Sequence, residues 1–387
     1  MVTSIVSAVS VLGLLVLQLS ALPFEDDGQR DTKALYDEVR QLLQLNQGYL
    51  QDAPQSSEEQ TTVADISEKP DVPKVVQNWP EEPLKLGQVS GVSVNSALQP
   101  VIFHRVDRVW DETTFNETHH YQQTHLGPIR EHTVLTLDPQ TGKVLGRWGA
   151  DFFYMPHGLT IDRHDNIWVT DVALHQVFKF KPGELQPSQT FGQRLEPGAD
   201  KRHFCKPTST AIASTGEIFI ADGYCNARIL KYNAAGVLLR IFPTAPEILS
   251  LQVPHGLALI ESLDRICVAD RENMRIVCPR AGLYTLQGKK EPPLTITLPD
   301  MGRVFGVSAK GKLVYAVNGP TSTLPVQGMT IDPQTESVID HWAPEEKLGQ
   351  KFGNPHDIAV CPNGSALYVV EIYPNRVWKF DLVQPKK

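Results

Sequence analysis

Pro156-His157-Gly158-Leu159-Thr160-Ile161-Asp162 leads into Asn166-Ile167-Trp168-Val169-Thr170-Asp171 and then Val177-Phe178-Lys179-Phe180. Short β-branched and aromatic runs alternate with Gly, Asn and Asp turns, which predicts a strand meander. The unit returns along the chain. Pro207-Thr208-Ser209-Thr210-Ala211-Ile212 precedes Ile218-Phe219-Ile220-Ala221-Asp222 and Arg228-Ile229-Leu230-Lys231-Tyr232. Pro254-His255-Gly256-Leu257 precedes Ile266-Cys267-Val268-Ala269-Asp270 and Arg275-Ile276-Val277-Cys278. Pro355-His356-Asp357-Ile358 precedes Leu367-Tyr368-Val369-Val370-Glu371 and Arg376-Val377-Trp378-Lys379-Phe380. Two weaker copies start at Ser90-Gly91-Val92-Ser93-Val94 and at Phe305-Gly306-Val307-Ser308.

The period is about 50 residues, a propeller-type spacing. A single sheet of this kind cannot bury both its faces. Six of them stacked around an axis can, and closing the ring protects their edges. The pattern resembles NHL-type repeats. The expected fold is therefore all-β, a six-bladed β-propeller, with an open solenoid of the same units as the alternative.

The register just after the repeat's proline, or equivalent to it, holds Ser90, His157, Thr208, His255, Phe305 and His356 in chain order. Histidine occupies every second copy. Alternate blades of a six-bladed ring are related by a third of a turn, so an axis-facing position would bring three imidazoles together. Three neutral histidines with a fourth position open make a catalytic zinc arrangement. No carboxylate or thiolate joins the set, which favours zinc over iron or copper. Taken singly, each Pro-His-Gly would read as an inner-strand entry whose histidine bonds a carbonyl.

Of the 387 residues, 41% are hydrophobic and 21% charged, an ordinary globular balance, and the formal net charge is -8. No basic cluster lies in the repeats, so nucleic acid is not an expected partner. Ile5 to Leu22 is nearly all apolar or small, and Ser20-Ala21 precedes the acidic Glu25-Asp26-Asp27. Residues 1–21 are expected to be a signal peptide, with an uncleaved anchor as the alternative. Residues 22–80 read as an acidic, largely flexible leader or propeptide, with one amphipathic helix around Ala34 to Leu45. Residues 81–387 are assigned to the propeller. No later apolar run nears the ~20 residues of a membrane span. The expected location is the secretory pathway, either released or held in secretory granules. In that oxidising setting the five cysteines are expected to pair. Cys267 and Cys278 flank a short turn, Cys205 and Cys225 bracket another unit, and Cys361 is left over. The sequons at Asn116 and Asn363 fit a glycosylated surface.

Six stretches carry a closer resemblance: Val101-Ile102-Phe103-His104-Arg105, Pro156 to Leu159, Trp168 to Lys179, Asp222-Gly223-Tyr224-Cys225-Asn226, Val268 to Asn273, and Pro355-His356-Asp357-Ile358. Together they look like the peptidyl-α-hydroxyglycine α-amidating lyases, from about Gly87 to Leu382. The resemblance implies cleavage of a peptide ending in α-hydroxyglycine, giving peptide amide and glyoxylate. It implies His157, His255 and His356 as zinc ligands, Tyr224 as catalytic tyrosine, and Arg105 and Arg271 as active-site arginines. It implies a structural calcium on the Asp357 carboxylate and the carbonyls of Val92 and Leu159. The pairs Cys205–Cys225 and Cys267–Cys278 match the family's disulfides. In the family's best-known form the lyase is fused to a copper monooxygenase. No copper-binding His/Met constellation precedes Gly87, so the hydroxylating partner is expected to be a separate protein. Asn354 stands where the family pattern has methionine.

Other readings attach to the same residues. Tyr224 could cap a disulfide-bonded turn, and Arg105 could be a solvated blade residue. His175 is out of the alternating register, which favours an outer-loop hydrogen bond. Asp171, Asp222, Asp270 and Glu371 recur in each strong copy, as turn-tying acids would. A non-catalytic propeller that binds protein partners and a calcium-dependent propeller hydrolase are the competing functions. The hydrolase would place Asp, Asn and Glu on the axis, where histidine stands instead.

Overall fold

The computed structural model describes residues 70–244, 248–284, 291–344 and 349–385. Six four-stranded antiparallel sheets make a six-bladed β-propeller. Blade 1 opens with strand Val89–Val94, blade 2 with Pro156–Ile161, blade 3 with Ser209–Ile212, blade 4 with Pro254–Ile260, blade 5 with Val304–Lys310 and blade 6 with Asn354–Val360. Each of these strands is innermost in its blade. Each packs on the innermost strand of the next blade, and the sixth packs on the first. Among the described residues the only helical pieces are short 3-10 turns.

Because side chains alternate across a strand, each blade feeds two cores at once. Val101 and Phe103 face blade 2 and join Leu159, Val169 and Phe178, whereas Ile102 between them faces blade 6 and joins Tyr368 and Val370. Trp168 and Val177 of blade 2 pack with Ile220 and Leu230 of blade 3. Every blade junction holds one such apolar cluster. This explains why the middle strands read as unbroken apolar runs: both faces are dry.

The ring is closed by mixing the chain ends. Val72–Val75 forms the outer strand of blade 6, pairing Val72 with Val383 and Val75 with Phe380. The chain thus enters the ring ahead of residue 81, where composition drew the boundary. Val-Pro-Lys-Val is too short and too mixed to stand out as a strand. Its recruitment depends on the ladder that the last strand offers. Trp79 beyond it is buried against Tyr368, with ring centroids 5.3 Å apart. The expected signal peptide and all but the end of the expected leader lie outside the described residues. Among the described residues no helix is long and apolar enough to cross a membrane.

Candidate active site

The Pro-His-Gly triplet places its histidine by breaking the strand register. Pro156 pairs with Asp171 and Leu159 with Val169, so His157 and Gly158 together oppose one residue. Pro254 and Leu257 bracket His255 in the same way, and in blade 6 the register shifts between Pro355 and Asp357, across His356. A bulge of this kind re-aims a side chain, and here the imidazoles turn to the axis. Glycine follows because the next blade is close: a Cβ on Gly158 would lie 2.4 Å from the Thr208 carbonyl oxygen.

The three imidazoles converge as the alternation predicts. Ring centroids of His157, His255 and His356 are 4.8, 4.8 and 4.7 Å apart, and all three are buried. Each Nδ1 contacts a backbone carbonyl of the following blade: His157 that of Thr208 at 2.8 Å, His255 that of Phe305 at 2.8 Å, and His356 that of Ser90 at 2.7 Å. These acceptors are the three intervening residues of the same register. A carbonyl only accepts, so each Nδ1 carries the proton and each Nε2 presents a lone pair. Burial, followed by the charges of neighbouring imidazoles and arginines, holds the His157 and His255 pKa values well below the ordinary imidazole range. Burial and the Arg105 charge pull His356 down to about 3. The cluster is therefore neutral near pH 7.

Tyr224 reaches the same point from the loop after the second strand of blade 3. Its hydroxyl is 3.0 Å from His157 Nε2 and 3.2 Å from His255 Nε2. Gly223 permits this turn, since a Cβ there would lie 2.2 Å from the Pro254 carbonyl oxygen. Cys225 anchors the loop through its disulfide to Cys205. Arg271, from blade 4, donates Nη1 to the Tyr224 oxygen at 3.4 Å, and its guanidinium carbon lies 4.9 Å from the Phe305 ring centroid. Arg105 is not solvated. It is only 2% exposed, donating Nε to the Pro156 carbonyl at 2.9 Å and Nη1 to Gln88 Oε1 at 2.7 Å. Burial lowers its pKa to about 10, which leaves it cationic at neutral pH.

Sequence reading did not single out Trp110 and Lys206. Trp110 comes from the long connection between the second and third strands of blade 1. Its ring is 4.7 Å from that of Tyr224 and 6.2 Å from that of His157. The Arg105 guanidinium lies 5.5 Å from it and the Lys206 ammonium 5.9 Å. Trp110 lies outside the repeat, and Lys206, though it precedes the repeat's proline, shares its register with Met155, Val253 and Asn354, so no common residue type marks it.

The remaining expectations separate cleanly. Asp171 takes backbone N–H groups of Tyr154, Met155, Ala173 and Leu174 at 2.7–3.0 Å, off the axis and fully buried. Asp222 takes the Cys205 N–H at 2.7 Å, Asp270 the Gln252 N–H at 2.6 Å, and Glu371 the Gly353 N–H at 2.5 Å. These acids tie blades 2, 3, 4 and 6 to their entry loops. His175 is buried off the axis, and its Nδ1 accepts the Lys206 N–H at 3.0 Å. Asp357 accepts the Val92 N–H at 3.0 Å and the Ile358 N–H at 2.9 Å, and burial raises its pKa to about 7. It lines an axial channel of about 280 Å³ that Val92 and Leu159 also line. Both expected disulfides are present, and Cys361 is free and buried. Asn354 Oδ1 is buried with no hydrogen-bond partner among the described residues. A larger cavity of about 520 Å³ flanks blade 1 and contains none of the axial histidines.

Residues 153–180, 204–232 and 251–278 match the NHL repeat. The chain is 57% identical over 314 residues to peptidyl-α-hydroxyglycine α-amidating lyase 2 of Drosophila melanogaster, covering 80% of this chain and 76% of that protein. The chain belongs to the peptidyl-α-hydroxyglycine α-amidating lyases. It acts at the second step of peptide amidation, cleaving the C–N bond of a peptide ending in α-hydroxyglycine to peptide amide and glyoxylate. It is also 40% identical over 340 residues to the peptidyl-glycine α-amidating monooxygenase A of Xenopus laevis, a match spanning 84% of this chain but 34% of that longer protein. A gluconolactonase structure from Xanthomonas campestris aligns with a TM-score of 0.52 at 12% identity, over 81% of this chain and 97% of its own. That likeness concerns the fold alone.

Proposed function

We propose that the lyase reaction takes place at the axial cluster, with His157, His255 and His356 holding a zinc ion. The observation that carries this is the inward convergence of three Nε2 lone pairs. All three Nδ1 protons are committed to carbonyls, and the Tyr224 hydroxyl has one proton for two of the Nε2 atoms it faces. A cation satisfies what one proton cannot. When bound, zinc would supply Lewis acidity to the substrate hydroxyl.

The chain's own residues do the rest. Tyr224 acts as the base that takes the hydroxyl proton. The O–H electron pair becomes the C=O of glyoxylate, the C–N bond breaks, and the amide nitrogen takes the proton back from Tyr224. Atoms and charge balance without an oxidant or added water. Arg271 lies at the phenolic oxygen, the side where the carboxylate attached to the reacting carbon would fall. Its planar fork suits that group. Arg105, with Nε and Nη1 already engaged, adds fixed positive charge and holds Trp110 beside Tyr224.

Asp357 and the carbonyls of Val92 and Leu159 are proposed to hold a calcium ion in the axial channel. Asp357 has no Lys or Arg partner among the described residues, and a hard cation with oxygen ligands would favour its ionised form. Secretion and glycosylation complete the reading. Asn116 and Asn363 are exposed, each with Oδ1 in a turn closed by its own sequon's hydroxyl residue. The hydroxylated substrate would come from a peptidylglycine monooxygenase activity, the one named in the longer relative. The test is glyoxylate release from an α-hydroxyglycine peptide, with metal analysis of the same preparation. About one zinc per chain and loss of both zinc and turnover in His255→Ala are expected. Full turnover in metal-free protein would overturn the zinc reading.

A further inference from the structure

Lys206 stands beside the axial cluster and takes no part in the metal site or the proton transfer. It follows Cys205, which is disulfide-bonded to the neighbour of Tyr224. Its side chain is directed back to the same wall. The residue is 9% exposed. Its ammonium lies 4.7 Å from the Phe115 ring centroid and 5.9 Å from those of Trp110 and Tyr224. Its one polar side-chain contact is His119 Nδ1 at 3.4 Å, and no carboxylate pairs with it among the described residues.

A buried cation without an anion is costly, and three aromatic faces compensate only in part. Arg105 lies over the Trp110 ring and Arg271 over the Tyr224 ring, two of the rings that Lys206 faces, and both are cations. An anion entering here therefore meets a site that lacks one. The substrate brings its own carboxylate, but that group is bonded to the reacting carbon and falls beside Arg271. The rest of the peptide leaves through the amide nitrogen. Its next α-carbon lies ~3.8 Å from the reacting carbon, and a short side chain extends a little further. The Lys206 ammonium lies 5.9 Å from the Tyr224 ring centroid, on the wall that such a side chain would meet. Phe115 and Trp110 would pack against the methylene stem of such a side chain.

We propose that Lys206 is a specificity-determining residue that receives an acidic side chain on the residue immediately before α-hydroxyglycine. This rests on the placement of the reaction between the histidine cluster and Tyr224.

The test uses four peptides that differ only in that residue: Asp, Asn, Glu or Gln. The readout is the ratio of kcat/KM for acid over matching amide, within one protein. A merely structural Lys206 would change all four peptides alike and leave the ratios alone. In the wild-type protein the acids should be favoured by about tenfold, the size of one charge-assisted contact. In Lys206→Gln the ratios should fall to about one, and Lys206→Arg should restore part of the preference. A wild-type ratio at or below one overturns the proposal, and this does not depend on any variant folding. A ratio that survives Lys206→Gln overturns it too. Failure of the underlying site would look different: Tyr224→Phe would turn over all four peptides at wild-type rates.

Discussion

Gly158→Ala adds one methyl group and tests how the proposed metal site is held. Gly158 does not adopt a left-handed φ, so alanine carries no backbone penalty there. The obstacle is space. The new Cβ would lie 2.4 Å from the Thr208 carbonyl oxygen and 3.1 Å from Thr170 Oγ1. Carbon and oxygen need ~3.2 Å or more, so blade 3 must move by most of an ångström or the strand must flatten. Overpacking of this kind costs about 1–3 kcal/mol. The oxygen displaced is the one that accepts the His157 Nδ1 proton, so the damage reaches the proposed ligand. Loss of such an orienting contact typically weakens metal binding 10–100-fold. Gly256→Ala is the internal control. There the Cβ would meet the Phe305 carbonyl oxygen, the acceptor for His255, at 2.9 Å, so a smaller shift suffices. Zinc affinity by chelator competition and thermal unfolding of both variants should rank wild type, Gly256→Ala, Gly158→Ala. A Gly158→Ala protein that binds zinc like wild type, or a reversed order, would refute the idea that inter-blade carbonyls orient the ligands.

Further outcomes are expected. Tyr224→Phe should lower turnover by roughly 100-fold or more while zinc content and melting temperature stay near wild type; loss of zinc instead would make the tyrosine structural. Asp171→Asn replaces one acceptor of two backbone N–H groups by a donor and should destabilise the fold by about 3 kcal/mol in urea titration. A change under about 1 kcal/mol would contradict its tying role. For the metal-free protein, burial lowers the three axial histidine pKa values in the folded state. The unfolded chain then binds more protons below the ordinary value of about 6.5, so stability is full above that pH and declines below it. The decline continues through His356 at about 3, by up to about 1.4 kcal/mol per pH unit for each histidine. His356→Gln should flatten the acid limb of a melting-temperature profile; an unchanged limb would assign acid loss to other groups.

Much of this molecule is written along the chain. A strand meander must bury both faces, so a repeat of alternating and fully apolar strands demands neighbours on each side, and a closed ring supplies them. The placing of His157, His255 and His356 in every second copy specifies convergence once the ring is six-fold. That Tyr224 and both arginines join them came from family likeness, not from spacing. Tertiary structure alone decided the rest. The tautomer of each imidazole depends on a carbonyl contributed by the following blade, 50 or more residues away in sequence or across the ring closure. The strand Val72–Val75 exists because the last strand leaves an edge to pair with. Trp110 lies outside the repeat's periodicity, and Lys206 holds a register position whose residue type varies from copy to copy. Their place beside Tyr224 follows from how the blade 1 connection folds over blade 3. Local pattern governs what a strand must bury, because burial recurs with the strand's own period. Which irregular segment covers a site depends on contacts between distant residues, and no period records those.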